Sequence, residues 1–377
     1  MNAIINSLNH QFGSYRDEYL GAAEEAQQKP TTPYSLRRPS EILAMEFDPA
    51  DNLLGDFLLS RGASLAILGQ GGVGKSFLVL QLAVHSILTR LFLGLTTRGR
   101  NLKWLILQTE NNNRRLQFDL QKLKSYIGAD DWERVDQNLV IHTLEVDQDH
   151  SMGLADPENL LRMEAAISQI QPDVVVIDPL KDFAIGDLNK DVDMAETCRM
   201  ISSIVKKGNQ NRAVVVLHHA LTGSNGAAKA SGFDRASFSR NSKVLHSWAR
   251  AVINVAAGTE DYSKLVVACG KNNNGKEFST FAVKRDPESL IFSVDPEFDL
   301  EAWDTEVGGK KRVKKKPTAD QVKDVLGLQS LAKGELVQAL MAELGCQKTK
   351  AYEAIADAQK TGAVNYDAEA KRFSITS

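Results

Sequence analysis

Ser64-Leu65-Ala66-Ile67-Leu68-Gly69-Gln70-Gly71-Gly72-Val73-Gly74-Lys75-Ser76-Phe77 decides the reading of this chain. An apolar run breaks into glycines and ends on a lysine and a serine, so residues 69–76 match GxxxxGK[ST] in full. The context is also the required one, a strand before the loop and a helical pattern after it. Glycines let successive backbone N–H groups converge on phosphate oxygens, and a helix N-terminus adds favourable potential for anions. The segment therefore predicts a phosphate-binding loop built from Gly69, Gln70, Gly71, Gly72, Val73, Gly74, Lys75, Ser76 and Phe77. ATP is the expected ligand, with Lys75 neutralising the β- and γ-phosphates and the Ser76 hydroxyl ligating Mg²⁺. Partition-type ATPases carry a lysine where Gln70 stands, which weighs against that class.

Further along lies Pro172-Asp173-Val174-Val175-Val176-Ile177-Asp178. Four β-branched residues running into an aspartate place Asp178 at the carboxyl edge of a buried strand, where it can hold Mg²⁺ through water. The strand Trp104–Gln108 runs into Thr109-Glu110, and a carboxylate at that tip can deprotonate an attacking water, so Glu110 is the expected general base. Val214-Val215-Val216-Leu217-His218-His219 delivers tandem histidines at a strand tip. Strand alternation sends them to opposite faces, and His219 is read as a polar sensor of nucleotide state rather than a zinc ligand.

The strands expected around these motifs are 64–68, 104–108, 139–142, 174–177, 213–217 and 251–255, mostly apolar without alternation, as in a parallel sheet covered on both faces. Runs at 265–269, 278–283 and 290–294 suggest an antiparallel extension on one edge. The fold class is α/β, with an arm at 1–40, a nucleotide-binding body at 41–300, a basic linker at 301–317 and a small domain at 318–377.

Composition narrows the class. The 377 residues carry 45 Lys and Arg against 48 Asp and Glu, a net charge of −3. The balance is uneven: residues 310–377 hold 13 basic and 8 acidic residues, leaving 32 against 40 in the remainder. The turning point is Gly308-Gly309-Lys310-Lys311-Arg312-Val313-Lys314-Lys315-Lys316-Pro317, a linker signature. Three scattered cysteines without a CxxC pair argue against a disulfide framework, and the N-terminal sequence lacks a secretory pattern. The longest apolar stretch, 77–95, is too polar to span a bilayer, so no membrane role and a cytoplasmic location are expected.

The order of phosphate loop, post-strand glutamate, strand-ending aspartate and His-His tip resembles the RecA-like ATPase core, nearest to the hexameric replicative helicases of plasmid RepA type. The resemblance spans about residues 40–296. It implies a homo-oligomer, a hexamer in that family, in which each ATP is met by an arginine and a lysine of the neighbouring subunit. Arg250, in Ser247-Trp248-Ala249-Arg250, and Lys271, in Lys271-Asn272-Asn273-Asn274-Gly275, occupy the matching positions. Larger bacterial replicative helicases have an arginine where Asn273 stands, which places the weight on Arg250. The resemblance also implies a channel loop between His219 and Arg250. The polar, glycine-bearing segment 221–241 fits it, with Lys229, Arg235, Arg240 and nearby Lys243 suited to follow single-stranded DNA.

The tail shows helical spacing at 318–326, 333–344 and 349–361, a Gly345 cap, and a hairpin at 362–367 and 371–375. Three helices and a hairpin look like a winged helix, with Lys348 and Lys350 at the start of the third helix, placed to touch duplex DNA. A replication protein is the alternative partner. Together these readings predict an ATP-driven helicase of a plasmid, phage or integrated element. The alternatives are an ATPase switch that loads or regulates DNA-processing proteins, and a duplex-binding regulator.

Overall fold

The computed structural model describes residues 35–99, 101–144, 152–220, 229–231, 235–238, 243–307, 316–327, 329–344, 346 and 348–375. The chain divides into two compact units between Asp48 and Pro49. In the first, Pro39–Leu43 forms helix α1, opened by a proline and by the Glu41 carboxylate accepting from Arg38 N–H. Leu36, Ile42, Leu43 and Phe47 in this unit stay exposed.

The second unit begins with two short antiparallel strands, β1 (Asn52–Leu54) and β2 (Leu59–Ser60), which the sequence pattern did not announce. There follow β3 (Ser64–Gly69), α2 (Lys75–Ile87), β4 (Trp104–Gln108), α3 (Asn113–Ile127), α4 (Ala129–Asn138), β5 (Leu139–Ile141), α5 (Pro157–Ile170), β6 (Val174–Asp178), α6 (Asp191–Lys206) and β7 (Ala213–His219). Then come α7 (Lys243–Trp248), β8 (Ala251–Ala257), β9 (Lys264–Asn272), β10 (Phe281–Arg285), β11 (Phe292–Val294) and α8 (Leu300–Val307). Nine strands form one sheet in the order β11-β10-β9-β8-β3-β7-β6-β4-β5. From β8 to β5 the pairs are parallel, and β9, β10 and β11 add antiparallel strands at the far edge. This is the expected α/β class, a mostly parallel sheet in which β7 separates the phosphate-loop strand β3 from the Asp178 strand β6.

Both faces of the sheet are covered, which explains strands that read as unbroken apolar runs. Leu65, Ile67, Val174, Val176, Val215 and Leu217 pack on one side with α2. Ala66, Leu68, Val175, Ile177, Val214 and Val216 pack on the other with α5 and α6. At the amino edge Arg212, 2% exposed, donates to the carbonyls of Pro172, Val205 and Lys207 and to Gln171 Oε1, tying the ends of α5 and α6 to β7.

The expected linker at 301–317 is corrected in its first half. Leu300–Val307 is helical, and Trp303 is buried against the core with its Nε1–H donating to Ala257 O at 2.9 Å. A large indole, with Phe298, Leu300 and Val307 packed around the same core, docks an otherwise acidic segment, a signal the charge pattern hid. Residues 308–315 lie outside the described residues, as does Gly345.

The tail comprises α9 (Ala319–Leu326), β12 (Leu331–Ala332), α10 (Lys333–Leu344), α11 (Lys348–Lys360), β13 (Val364–Asp367) and β14 (Arg372–Ile375). Its three helices match expectation within a residue, and β12 joins the hairpin to give a three-stranded sheet ordered β12-β14-β13. Val322, Leu336, Leu340, Ile355, Val364 and Phe373 form its core.

Candidate active site

The loop after β3 reaches α2 through two left-handed glycines, Gly72 at φ +79° and Gly74 at φ +87°. Residues with a Cβ rarely adopt that conformation. Val73 is 1% exposed and anchors the loop between them. Lys75 opens the helix with 8% exposure, and its Nζ donates to Gly69 O at 2.9 Å and Gln70 O at 2.7 Å. Burial lowers its pKa, while Asp178 and Glu110 oppose the shift.

Asp178 ends β6 and is 5% exposed. Burial raises its pKa to about 6; a hydrogen bond from Ser76 and the charge of Lys75 pull it down, and Glu110 and Asp182 push it up. A buried carboxylate joined to a serine hydroxyl, with two further acids near, is a donor set that fits a hard divalent cation. Ser76 and Asp178 are thus brought together as expected. Among the described residues no group of three or more His, Cys, Asp or Glu could hold a metal ion.

Glu110 stands half exposed at the tip of β4, with one oxygen 3.5 Å from Lys181 Nζ. Its backbone is set by Gln108, which is 2% exposed. Gln108 Oε1 accepts from Glu110 N–H at 3.1 Å and Asn111 N–H at 2.7 Å, and Nε2 donates to Asn111 O and His142 O, both at 2.8 Å. Next to it Thr109 donates its hydroxyl to Asp182 at 2.6 Å and its N–H to Asp178 O at 3.1 Å. Gln108, Thr109, Lys181 and Asp182 were missed in the sequence because their roles depend on contacts across strands.

β7 brings His219 level with Gly69. A Cβ on Gly71 would lie 3.9 Å from the His219 ring, so His219 faces the loop while His218 is buried. On the other flank, a Cβ on Gly72 would meet the Tyr262 ring at 3.8 Å, and one on Gly74 would meet Phe292 at 3.2 Å. Gln81 of α2 bonds both N–H and C=O of Phe292, at 3.0 and 2.9 Å, fixing β11 against the helix.

Arg250 and Lys271 fall elsewhere. Arg250 N–H donates to Ser64 O at the start of β3, whereas the phosphate loop follows the end of that strand. Five residues of strand, roughly 17 Å, separate the two levels. Lys271 pairs with Val252 across β8 and β9, and its Nζ donates to His246 O and Ala249 O, both at 2.7 Å. Arg250, Lys271 and Lys206 are close enough that the Arg250 charge adds to burial in lowering both lysines. Gly275, the last residue of the Lys271 motif, lies so near Asp56 that a Cβ there would sit 2.0 Å from its carbonyl oxygen.

The residues assigned to DNA are dispersed. Lys229 is half buried and Lys243 opens α7, while Arg240 lies outside the described residues. Arg235 is engaged by Glu277 through two bonds, at 2.8 and 2.7 Å. In the tail, Lys348 is exposed at the start of α11 and Lys350 pairs with Glu353 at 2.6 Å.

Comparison with known proteins gives three findings. The family described as AAA domain matches residues 31–224. A search of curated proteins found no match. Among solved structures, a KaiC-like protein from the hyperthermophilic archaeon Pyrococcus horikoshii OT3 aligns over 65% of this chain and 97% of its own, at 13% identity and a TM-score of 0.43. No helix among the described residues is long and apolar enough to cross a membrane.

Proposed function

The chain belongs to the AAA domain family of ATPases, and from that premise we propose that it is a ring-forming motor that hydrolyses ATP to move along single-stranded DNA as a replicative helicase of a mobile element. In this reading the loop from Gly69 to Phe77 cradles the triphosphate and Lys75 leaves its backbone carbonyls for the phosphates. Ser76 and Asp178 would hold Mg²⁺, which supplies charge neutralisation on the β- and γ-oxygens. Glu110 takes a proton from water as its oxygen attacks the γ-phosphorus. The bond to the β–γ bridging oxygen breaks, giving ADP and phosphate. His219, beside Gly71, senses which state the loop is in.

The observation that carries the shared-site reading is the position of Arg250. It lies at the edge of the sheet opposite its own phosphate loop, grouped with Lys206 and Lys271. Burial, with the Arg250 charge added, lowers both lysines, so the three side chains gather positive charge that an anion could meet, and a lone subunit cannot bring its own ATP there. A second copy can, and a contact of two different faces closes into a ring when the rotation allows. Six subunits, a DNA-filled channel lined by Lys229, Arg235, Arg240 and Lys243, and a winged-helix tail using Lys348 and Lys350 on duplex DNA or a replication protein complete the proposal.

One observation favours a second reading. Glu277 occupies Arg235 and Glu353 occupies Lys350, which reduces the charge offered to a nucleic-acid backbone. An ATPase switch that loads or regulates DNA-processing proteins fits that economy. The test combines mixing and unwinding. Arg250→Ala and Lys75→Ala, each inactive alone, should recover partial ATPase activity when mixed, since one protomer then supplies an intact loop and the other an intact arginine. No recovery at any ratio refutes the shared site. Stimulation by single strands without opening of a forked duplex selects the switch over the helicase.

A further inference from the structure

The flank of the phosphate loop away from Glu110 and Asp178 carries a feature that phosphate chemistry does not require. The turn between β8 and β9 runs Gly258-Thr259-Glu260-Asp261-Tyr262-Ser263, and Tyr262 sits at φ +57°. The left-handed region disfavours a residue with a Cβ, and such outliers persist where surrounding structure holds them, often at ligand clamps. The surrounding structure here is explicit. Asp261 Oδ1 accepts from the Thr259 hydroxyl at 2.6 Å, the Ser263 hydroxyl at 2.7 Å and Ser263 N–H at 3.0 Å. Thr259 Oγ1 in turn accepts from Lys264 N–H at 3.1 Å, and Tyr262 N–H donates to Thr259 O at 3.1 Å. A turn tied this closely presents the half-buried Tyr262 ring in one place, beside Gly72.

The sheet order gives the direction in which a bound nucleotide must lie. Glu110 follows the end of β4 and Asp178 ends β6, on the β7 side of the loop strand, while the Tyr262 turn follows β8 on the other side. The loop itself repeats this polarity, with Gly71 against His219 and Gly72 against Tyr262. If the γ-phosphate lies within reach of Glu110, the other end of the molecule leaves on the Tyr262 side. We infer that Tyr262 is the stacking platform for the nucleobase of the bound triphosphate, an inference that rests on the phosphate loop binding a nucleoside triphosphate. The carboxylate beside it, Asp261, is consumed by the turn, so the platform reads the face of the base and not its hydrogen-bonding edge.

Tyr262→Gly removes the ring and suits the left-handed backbone, so the turn is spared. Loss of one aromatic–base stack corresponds to about a tenfold to hundredfold weaker affinity. Calorimetric titration with ATP, GTP and inorganic tripolyphosphate, each in magnesium-containing buffer, reads the effect. ATP and GTP should weaken by the same factor in Tyr262→Gly and tripolyphosphate should not weaken, while Tyr262→Phe, which restores a ring, should restore both nucleotides. Equal loss for all three ligands, loss for ATP without GTP, or unaltered ATP affinity overturns the stacking role, as does failure of Tyr262→Phe to restore binding. An unaltered protein that binds neither ATP nor tripolyphosphate overturns the nucleotide reading itself, and the Tyr262 assignment with it.

Discussion

Gln108→Met keeps the length of the side chain and removes its amide, which isolates what that amide does for Glu110. The lost groups are specific: two acceptor contacts, from Glu110 N–H and Asn111 N–H, and two donor contacts, to Asn111 O and His142 O. A typical intramolecular hydrogen bond contributes about 1 kcal/mol net, and the strand tip is open enough for water to replace some of the four, so the expected destabilisation is about 2–3 kcal/mol. The catalytic effect is larger in proportion, because Glu110 then stands on a segment whose course nothing buried dictates. A displacement of the base by about 1 Å costs on the order of 100-fold in turnover. The phosphate loop sits on β3 and α2, away from these bonds, so ATP affinity should stay within about threefold. Steady-state kcat, calorimetric ATP affinity and a urea unfolding curve separate the terms. A variant that unfolds earlier yet turns over at the unaltered rate would show that Gln108 secures the strand and has no hand in placing Glu110.

Asp178 gives a dependence on pH with a definite sign. Burial raises its pKa from 3.8 to about 6, so between those values the folded chain holds more protons than the unfolded one. The contribution of this group to stability therefore falls as pH rises from about 4 to about 6, by about 3 kcal/mol across the window. Asp178→Asn removes that slope, and urea unfolding of both proteins from pH 4 to 7 should show the variant gaining relative stability; parallel curves contradict a carboxylate held in that state. Arg212→Met leaves the carbonyls of Pro172, Val205 and Lys207 without their buried donor, an expected loss of about 2–4 kcal/mol. A urea midpoint that does not move would mean that water or a neighbouring donor takes over those oxygens.

Much of the fold was legible because its signals are local. An unbroken apolar run bounded by polar residues, as in Val174–Ile177 or Ala213–Leu217, has few options besides a strand buried on both faces. The tail helices announced themselves through spacing, and the structure adds a Thr318–Gln321 capping box at the start of the first. Elements that depend on one contact were missed. β1, β2 and β12 are two or three residues long and exist only through their partners. Leu300–Val307 reads as an acidic stretch beside a basic run, and the fit of Trp303 beneath Ala257 O, with Leu300 and Val307 packed beside it, makes it part of the body.

The site divides along the same physical line. Residues whose chemistry is fixed by a strand end or a helix start were readable in order: the loop from Gly69 to Ser76, Asp178 and Glu110 all fall at the carboxyl edge because parallel strands end there. Residues whose value lies in what they hold were invisible. Gln108 reads as one more polar residue at the end of a strand until β4 is set beside His142, and Lys181 reads as a surface charge until the segment after Asp178 folds back toward Glu110. Tyr262 lies 187 residues after Lys75, with no motif around it; β9 and β10 must pair outward from β8 before the turn can stand over the loop. Lys271 shows the converse. Its motif was readable, yet its Nζ caps the carbonyls at the end of α7, so any service to a neighbouring subunit's phosphate requires those carbonyls to find another donor. A sequence motif specifies which side chain is present; the hydrogen bonds it must give up decide how readily it can act.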